Sequence, residues 1–193
     1  MYNQLFDFET ALAAYTGAPY AVLTDGCTHA IELCMRYDQV AECEFTAYTY
    51  LSIPMMLAQL HIKYTMLDQT WTGEYQFKNT RIWDSARRLE PGMYRAGAMQ
   101  CLSFGNSKPL NLGRVGAVLL DDYDAYCVLS RLRSDGRDLR ISPWESDPEL
   151  VLGYHYCPTL ELCERGIEKL ATVDQEPKYH QYPDLRTIDF KFG

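Results

Sequence analysis

The apolar positions of this chain follow two periods in turn. Within residues 28–36, Ile31, Cys34 and Met35 stand at i, i+3 and i+4, the apolar face of a helix. Residues 20–24 form a short apolar run that Asp25-Gly26 breaks, as a strand would be broken. Read this way, the pattern predicts helices at 8–16 (ended by Gly17), 28–36, 52–60 (with Pro54 tolerated in its first turn), 124–133 and 159–170. It predicts strands at 20–24, 44–48, 63–67, 81–84, 99–103 and 116–120. Helices and strands alternate for most of the length. That is the mark of an α/β fold: three layers, a mostly parallel sheet with helices on both faces. No internal repeat or low-complexity tract interrupts it. The expected organisation is one domain over 1–173 and a tail over 174–193. The tail is rich in Pro, Tyr and charge, and is expected to be an extended arm ordered by contact with the rest or with a partner chain.

Composition narrows the partners. The formal net charge is −8, which argues against a nucleic-acid coat protein. Arginine still clusters at Arg87 and Arg88 and across 131–140, either as a solvated helix face with a loop or as a docking patch for an anionic substrate. The seven cysteines are odd in number and irregular in spacing, which predicts reduced thiols and neither a disulfide scaffold nor a metal site. No stretch is apolar enough to span a bilayer, and the start lacks a charged leader before an apolar run. A soluble cytoplasmic protein without membrane or nucleic-acid partners is the expectation.

Four segments carry chemistry. Asp25-Gly26-Cys27-Thr28-His29 lies where a strand ends and a helix begins, and a helix N-terminus binds phosphate through its free N–H groups and positive dipole end. Thr28 would add a hydroxyl; the competing reading is an ordinary cap by Asp25 or Thr28. In Trp83-Asp84-Ser85-Ala86-Arg87 a carboxylate ends a short strand. At the carboxyl edge of a parallel sheet it would point into the ligand crevice and hold a pyridinium nitrogen protonated, unless it only caps a helix. In Ser103-Phe104-Gly105-Asn106-Ser107-Lys108 a strand delivers Ser103 and a turn delivers Lys108. That lysine is either a surface residue or, when partly desolvated, a nucleophile for carbonyls. In Thr46-Ala47-Tyr48-Thr49-Tyr50 the ring of Tyr50 either stacks on a planar ligand or packs in the core.

Taken in order, these segments resemble the DegT/StrS family of nucleotide-sugar aminotransferases, pyridoxal-phosphate enzymes of fold type I. The match runs from about Phe8 to Leu170. Phe8, Glu9, Tyr15, Gly17, Tyr20 and Ala21 fit the family's opening stretch. Gly26-Cys27-Thr28-His29-Ala30-Ile31-Glu32 fits its phosphate loop, and the Ser-Phe-x-x-x-Lys motif is complete from Ser103 to Lys108. Gly113-Arg114-Val115-Gly116-Ala117 follows as its glycine-rich strand. Gly153-Tyr154-His155-Tyr156-Cys157 corresponds to its Gly-Tyr-Asn-Tyr-Arg loop.

The resemblance implies roles. Lys108 would be the Schiff-base lysine and Asp84 the partner of the pyridine nitrogen. Tyr50 would stack on the ring. Cys27, Thr28 and His29, with their backbone, and Ser103 would hold the phosphate. Arg87, in place of the family's Gln, would lie near the phenolic oxygen or grip a substrate carboxylate or phosphate. His155, in place of Asn, would reach a neighbouring subunit's phosphate. The implied protein is a homodimer with shared active sites that moves an amino group from an amino acid, glutamate or glutamine, to a nucleotide-linked keto sugar. No metal is expected.

The chain also departs from the family. It is much shorter, with only a brief connection between Asp68 and Asp84, and of the smaller C-terminal domain only Tyr182-Pro183-Asp184-Leu185-Arg186 has a counterpart. These losses motivate a rival expectation, a catalytically degenerate relative acting as a binding or regulatory protein. Dehydratases on this scaffold replace the lysine by histidine, so Lys108 counts against that third reading.

Overall fold

The computed structural model describes residues 2–173 and 182–189. The part of the predicted tail at 174–181 and 190–193 lies outside the described residues. Five helices are present among the described residues: α1 (Asn3–Thr16), α2 (Cys27–Tyr37), α3 (Ser52–Gln59), α4 (Tyr123–Leu132) and α5 (Leu160–Leu170). None is long and apolar enough to cross a membrane. Seven strands accompany them: β1 (Tyr20–Thr24), β2 (Glu42–Thr46), β3 (Lys63–Leu67), β4 (Tyr75–Gln76), β5 (Ile82–Asp84), β6 (Met99–Ser103) and β7 (Gly116–Leu120).

Helix α1 starts at Asn3 rather than at residue 8 because Leu5 extends the stripe of Phe8 and Leu12, and all three are fully buried. It stops at Gly17, whose φ of 75° puts it in the left-handed region and returns its N–H to the Ala13 carbonyl. At the start of α4 the Asp122 carboxylate accepts from the Ala125 N–H at 3.0 Å, and Thr159 caps α5 in the same way.

The main sheet has the order β1-β7-β6-β5-β4, and β2 and β3 form a separate two-stranded ribbon. The α/β class is as expected, but the sheet is mixed rather than mostly parallel. β5 with β6 and β2 with β3 are parallel, while β1 with β7, β6 with β7 and β4 with β5 are antiparallel. Connection length explains the difference. The β4–β5 link, residues 77–81, is a tight hairpin, and the β6–β7 link, residues 104–115, holds no crossover helix. The chain therefore doubles back at both places.

Helices do cover both faces. Along β1 and β7, Val22, Val118 and Leu120 face Ala30, Ile31 and Cys34 of α2 and Ala125 and Leu129 of α4. Their neighbours Ala21, Leu23, Ala117 and Leu119 face Leu5, Phe8 and Leu12 of α1 and Cys163 and Leu170 of α5. The alternation is the period-2 pleat of strands buried on two sides. Each such large side chain contributes about 1.5–3 kcal/mol of burial free energy.

A buried ion pair ties the second layer to the first strand. The Glu9 carboxylate accepts from the Leu23 N–H at 2.8 Å and from the Arg133 guanidinium, which also donates to the Leu23 carbonyl at 2.7 Å. Arg133 and Glu9 are 1% and 5% exposed, so neither charge has water to fall back on. We expect Glu9→Gln to leave the Arg133 charge buried without a counter-charge and to cost roughly 3–5 kcal/mol, read as a lowered denaturant midpoint with an unchanged slope.

Candidate active site

The strands β1, β5 and β6 run the same way, so Thr24, Asp84 and Ser103 end on one edge of the sheet. In open α/β sheets that edge carries the ligand crevice. A cavity of about 630 Å³ opens there, and Cys27, Thr28, His29, Tyr50, Asp84, Ser103 and Lys108 all line it. Residues from four separate segments of the sequence thus meet in one place. Arg87 and His155 are not among the lining residues.

At one side of the cavity lies the N-terminus of α2. Its N-cap is Gly26, in extended backbone, and no side chain caps it. The candidate caps are engaged elsewhere. Thr28 Oγ1 bonds Ser52 Oγ at 2.7 Å, and the Asp25 carboxylate takes His29 Nδ1 and, at 3.2 Å, Arg114. The first-turn N–H groups of α2 therefore face the cavity uncapped, with the hydroxyls of Thr28, Ser52 and Ser103 around them. Gly116 permits this: a Cβ there would come within 2.4 Å of the Gly26 carbonyl carbon and 2.5 Å of the Cys27 nitrogen. Burial, then the nearby Asp84 charge, pushes the Cys27 thiol well above its ordinary range, and it donates to the Cys101 carbonyl at 3.6 Å. It is a neutral wall residue and not a nucleophile. The His29 ring stacks on Tyr156, centroids 3.7 Å apart, which fixes its plane.

Asp84 is 4% exposed. Burial pushes its carboxyl above the usual carboxylate range. The Ala86 N–H (2.9 Å), the Tyr75 hydroxyl (2.9 Å) and the charges of Lys108 and Arg87 pull the other way. The Tyr75 phenol is itself raised well above its ordinary value by burial and by Asp84, so it stays a donor, and Thr49 bonds it at 2.8 Å. Tyr75 and Thr49 orient this carboxylate, and the sequence reading did not name them. Their only sequence signal is the alternation Tyr75-Gln76-Phe77, which marks a strand and gives no role.

Lys108 is carried by the β6–β7 link. Phe104 donates to the Val115 carbonyl, Leu112 to the Phe104 carbonyl, each at 2.8 Å, and Lys108 N–H to the Gly105 carbonyl at 3.0 Å. Buried Phe104, Leu110 and Leu112 hold the loop down, so the half-buried Lys108 side chain projects from a fixed base. Its Nζ donates to the Tyr182 hydroxyl at 3.5 Å. Tyr50 stands at the mouth, 54% exposed. The Arg87 guanidinium lies 5.0 Å from the centre of the Tyr182 ring.

His155 sits away from the cavity, its side chain 89% exposed, and bonds Asp135 at 2.9 Å. In the 131–140 cluster Arg131 is held by Asp147 and Glu149, Arg133 by Glu9, and Arg140 by Asp138. Carboxylates of the chain itself occupy these three cations, which favours the structural reading of the cluster over an anion-docking patch.

Comparison with known proteins follows the same lines. The sequence model of the DegT/DnrJ/EryC1/StrS aminotransferase family matches residues 1–73. No curated protein matches. Among solved structures, DesI in the presence of its TDP-sugar product aligns with a TM-score of 0.70 at 18% identity, over 88% of this chain and 53% of that one. The PLP form of a sugar-aminotransferase candidate, Spr1654 from Streptococcus pneumoniae, aligns with 0.72 at 16% identity, over 88% and 59%. A variant of GDP-4-keto-6-deoxymannose-3-dehydratase (ColD) with bound GDP-perosamine aligns with 0.69 at 15%, over 88% and 61%. The chain thus spans little more than half the length of these structures and shares their fold. Over residues 1–73 the chain is thus similar to the DegT/DnrJ/EryC1/StrS aminotransferase family, and over most of its length it has the fold of these structures.

Proposed function

We propose that this protein is a pyridoxal-phosphate-dependent aminotransferase that moves an amino group from an amino acid, glutamate or glutamine, to the keto group of a sugar, in nucleotide-linked form. The observation that carries the reading is the convergence of Lys108, Asp84 and the uncapped N-terminus of α2 on one cavity.

The residues present fit the cofactor. Its phosphate suits the N–H groups at the start of α2 and the hydroxyls of Thr28 and Ser103. Its ring nitrogen, when protonated, suits a buried carboxylate that two hydrogen bonds hold in place. Tyr50 offers a ring face, and Arg87 adds positive charge beside Asp84. When bound, the cofactor supplies an electron sink for the bonds broken at the amino carbon. Lys108 Nζ would anchor it and, once freed, take a proton from that carbon and return it to the acceptor. Asp84 would hold the ring nitrogen's proton, and Tyr75 and Thr49 would keep that carboxylate in line.

The same reading makes 1–173 the cofactor-binding domain and 174–193 an arm, and takes a homodimer as the working unit. The exposure of His155 supports a contact with the partner copy's site. Unpaired thiols throughout suit the reducing cytoplasm. A second reading is a cofactor-binding protein that does not turn over, and the brief, helix-free stretch between Asp68 and Asp84 favours it.

Adding pyridoxal phosphate to the protein should produce the absorbance of the lysine-linked cofactor, and Lys108→Ala should abolish it; a band that survives that substitution sinks the proposal. Glutamate or glutamine should then bleach the band, whereas the non-turnover reading requires it to persist with every donor. Thr28→Ala and Ser103→Ala should each weaken cofactor affinity roughly tenfold, the loss of one hydrogen bond to a charged group.

Asp84 adds a pH-dependent expectation. Its proton is held more tightly in the folded chain than in the unfolded one. Stability is therefore lost as pH rises through the carboxylate range and stays lost above it. In the cofactor-free protein Asp84→Asn should raise the denaturant midpoint near pH 7 and leave it unchanged at about pH 3, where the parent carboxyl is neutral in both states. The same variant should bind pyridoxal phosphate more weakly.

A further inference from the structure

The end of the described chain comes back to the cavity. Residue 185 is its anchor: the Leu185 side chain is 2% exposed, and its N–H donates to the Ala47 carbonyl at 3.0 Å, just past the end of β2. An ionic clasp flanks it. Arg186 bonds Asp184 at 2.6 Å and reaches Asp68 at 3.4 Å, and Asp68 accepts from the Tyr48 hydroxyl at 2.7 Å. The clasp is exposed and adds little by itself. The buried leucine and its backbone bond do the holding.

This anchorage places Tyr182 in the cavity. Its ring lies nearly parallel to Trp71, interplanar angle 14° at 6.3 Å, and meets Tyr50 edge-on at 6.3 Å. Arg87 covers the ring at 5.0 Å, and the hydroxyl takes a hydrogen from Lys108 Nζ. A ring held by neighbours on several sides has few rotamers left, so its hydroxyl is a fixed point. The lysine has a long flexible stem with many rotamers. A fixed acceptor at its tip selects among those rotamers.

We propose that Tyr182 is a positioning residue of the active site: the C-terminal segment, docked through Leu185, uses the Tyr182 hydroxyl to aim the Lys108 amine into the cavity. This rests on the reading of Lys108 as the reactive lysine, but the contact can be tested without cofactor. The full-length, cofactor-free protein is trace-labelled with acetic anhydride at one fixed pH. Modification of Lys108 is then quantified by peptide mass spectrometry against the exposed Lys63 and Lys78.

Tyr182→Phe keeps the ring and removes the acceptor, so the ratio for Lys108 should rise roughly threefold, a conservative figure for one hydrogen bond to a charged group. Leu185→Asp frees the whole segment and should raise the ratio at least as far. If Tyr182→Phe leaves the ratio at the parental value, the proposal is overturned; a rise in Leu185→Asp alone would then mean that the segment only covers the lysine. The two readings fail separately. A shifted ratio in a protein that never takes up pyridoxal phosphate removes the aminotransferase reading and leaves the contact standing. Normal uptake with an unmoved ratio does the reverse.

Discussion

The close approach of α2 to the first residue of β7 is the constraint on which the site depends. At Gly116 there is no room for a single carbon beyond the backbone, with Gly26 and Cys27 already in its place. That contact draws the start of α2 over the end of the sheet, where its free N–H groups meet Ser103 and the lysine loop. It is possible only because β7 runs against its neighbours. A reversed strand begins at the edge where β1 and β6 finish. The whole β6–β7 link then leaves and returns on that one edge and keeps Lys108 there. Had β7 been parallel, the link would have had to cross to the opposite edge before β7 began. The antiparallel β7 therefore keeps the loop that carries Lys108 on the cavity's edge.

Electrostatics sets a second condition. A carboxylate at 4% exposure is an unfavourable group in the empty protein. Here it is kept by two hydrogen bonds and by two cations, Lys108 and Arg87, one of which the proposed chemistry would engage. Under the proposed function a cationic ring partner would relieve that cost, so stability would be given up in the free protein for affinity in the loaded one. The Glu9–Arg133 pair shows the contrast. It is equally dry, but its charges match and its lone pairs are filled by the Leu23 backbone, so it holds α1 to β1 and offers nothing to a ligand.

Much of this was legible in the residues. The strands at 20–24, 63–67, 99–103 and 116–120 fall where apolar runs end at breakers, because such runs carry their own boundaries. β2 does not. The pattern places it at 44–48 and the structure at Glu42–Thr46, because its limits come from its ladder with β3, where Glu42 pairs with Lys63, and not from its own side chains. The same holds for the site. Segments with a local signal, a strand end before a helix or a Ser-Phe-x-x-x-Lys run, brought their residues to the cavity. Thr49, Trp71, Tyr75 and Tyr182 act through contacts made across long stretches of sequence, and no local pattern announces them. Glu9 was visible in the opening motif, yet its work is structural, which only its burial beside Arg133 reveals.

Three of those residues, Trp71, Tyr75 and Tyr182, are aromatic, and they sit on connections or at a short strand. The stretch between β3 and β5 holds no helix, yet it supplies Trp71 and Tyr75; the C-terminal segment, past α5, supplies Tyr182. On this flank the cavity is walled by single side chains rather than by a whole element. Aromatic rings suit this, since each covers a large area with only two torsions to fix and carries a polar tip for a partner. Trp71 closes one flank and donates its indole N–H to the Tyr48 carbonyl at 2.6 Å, Tyr75 braces Asp84 from below, and Tyr182 reaches Lys108. Each ring is thus tied at its polar end to backbone, carboxylate or amine, so this wall is also the device that orients the charged groups behind it.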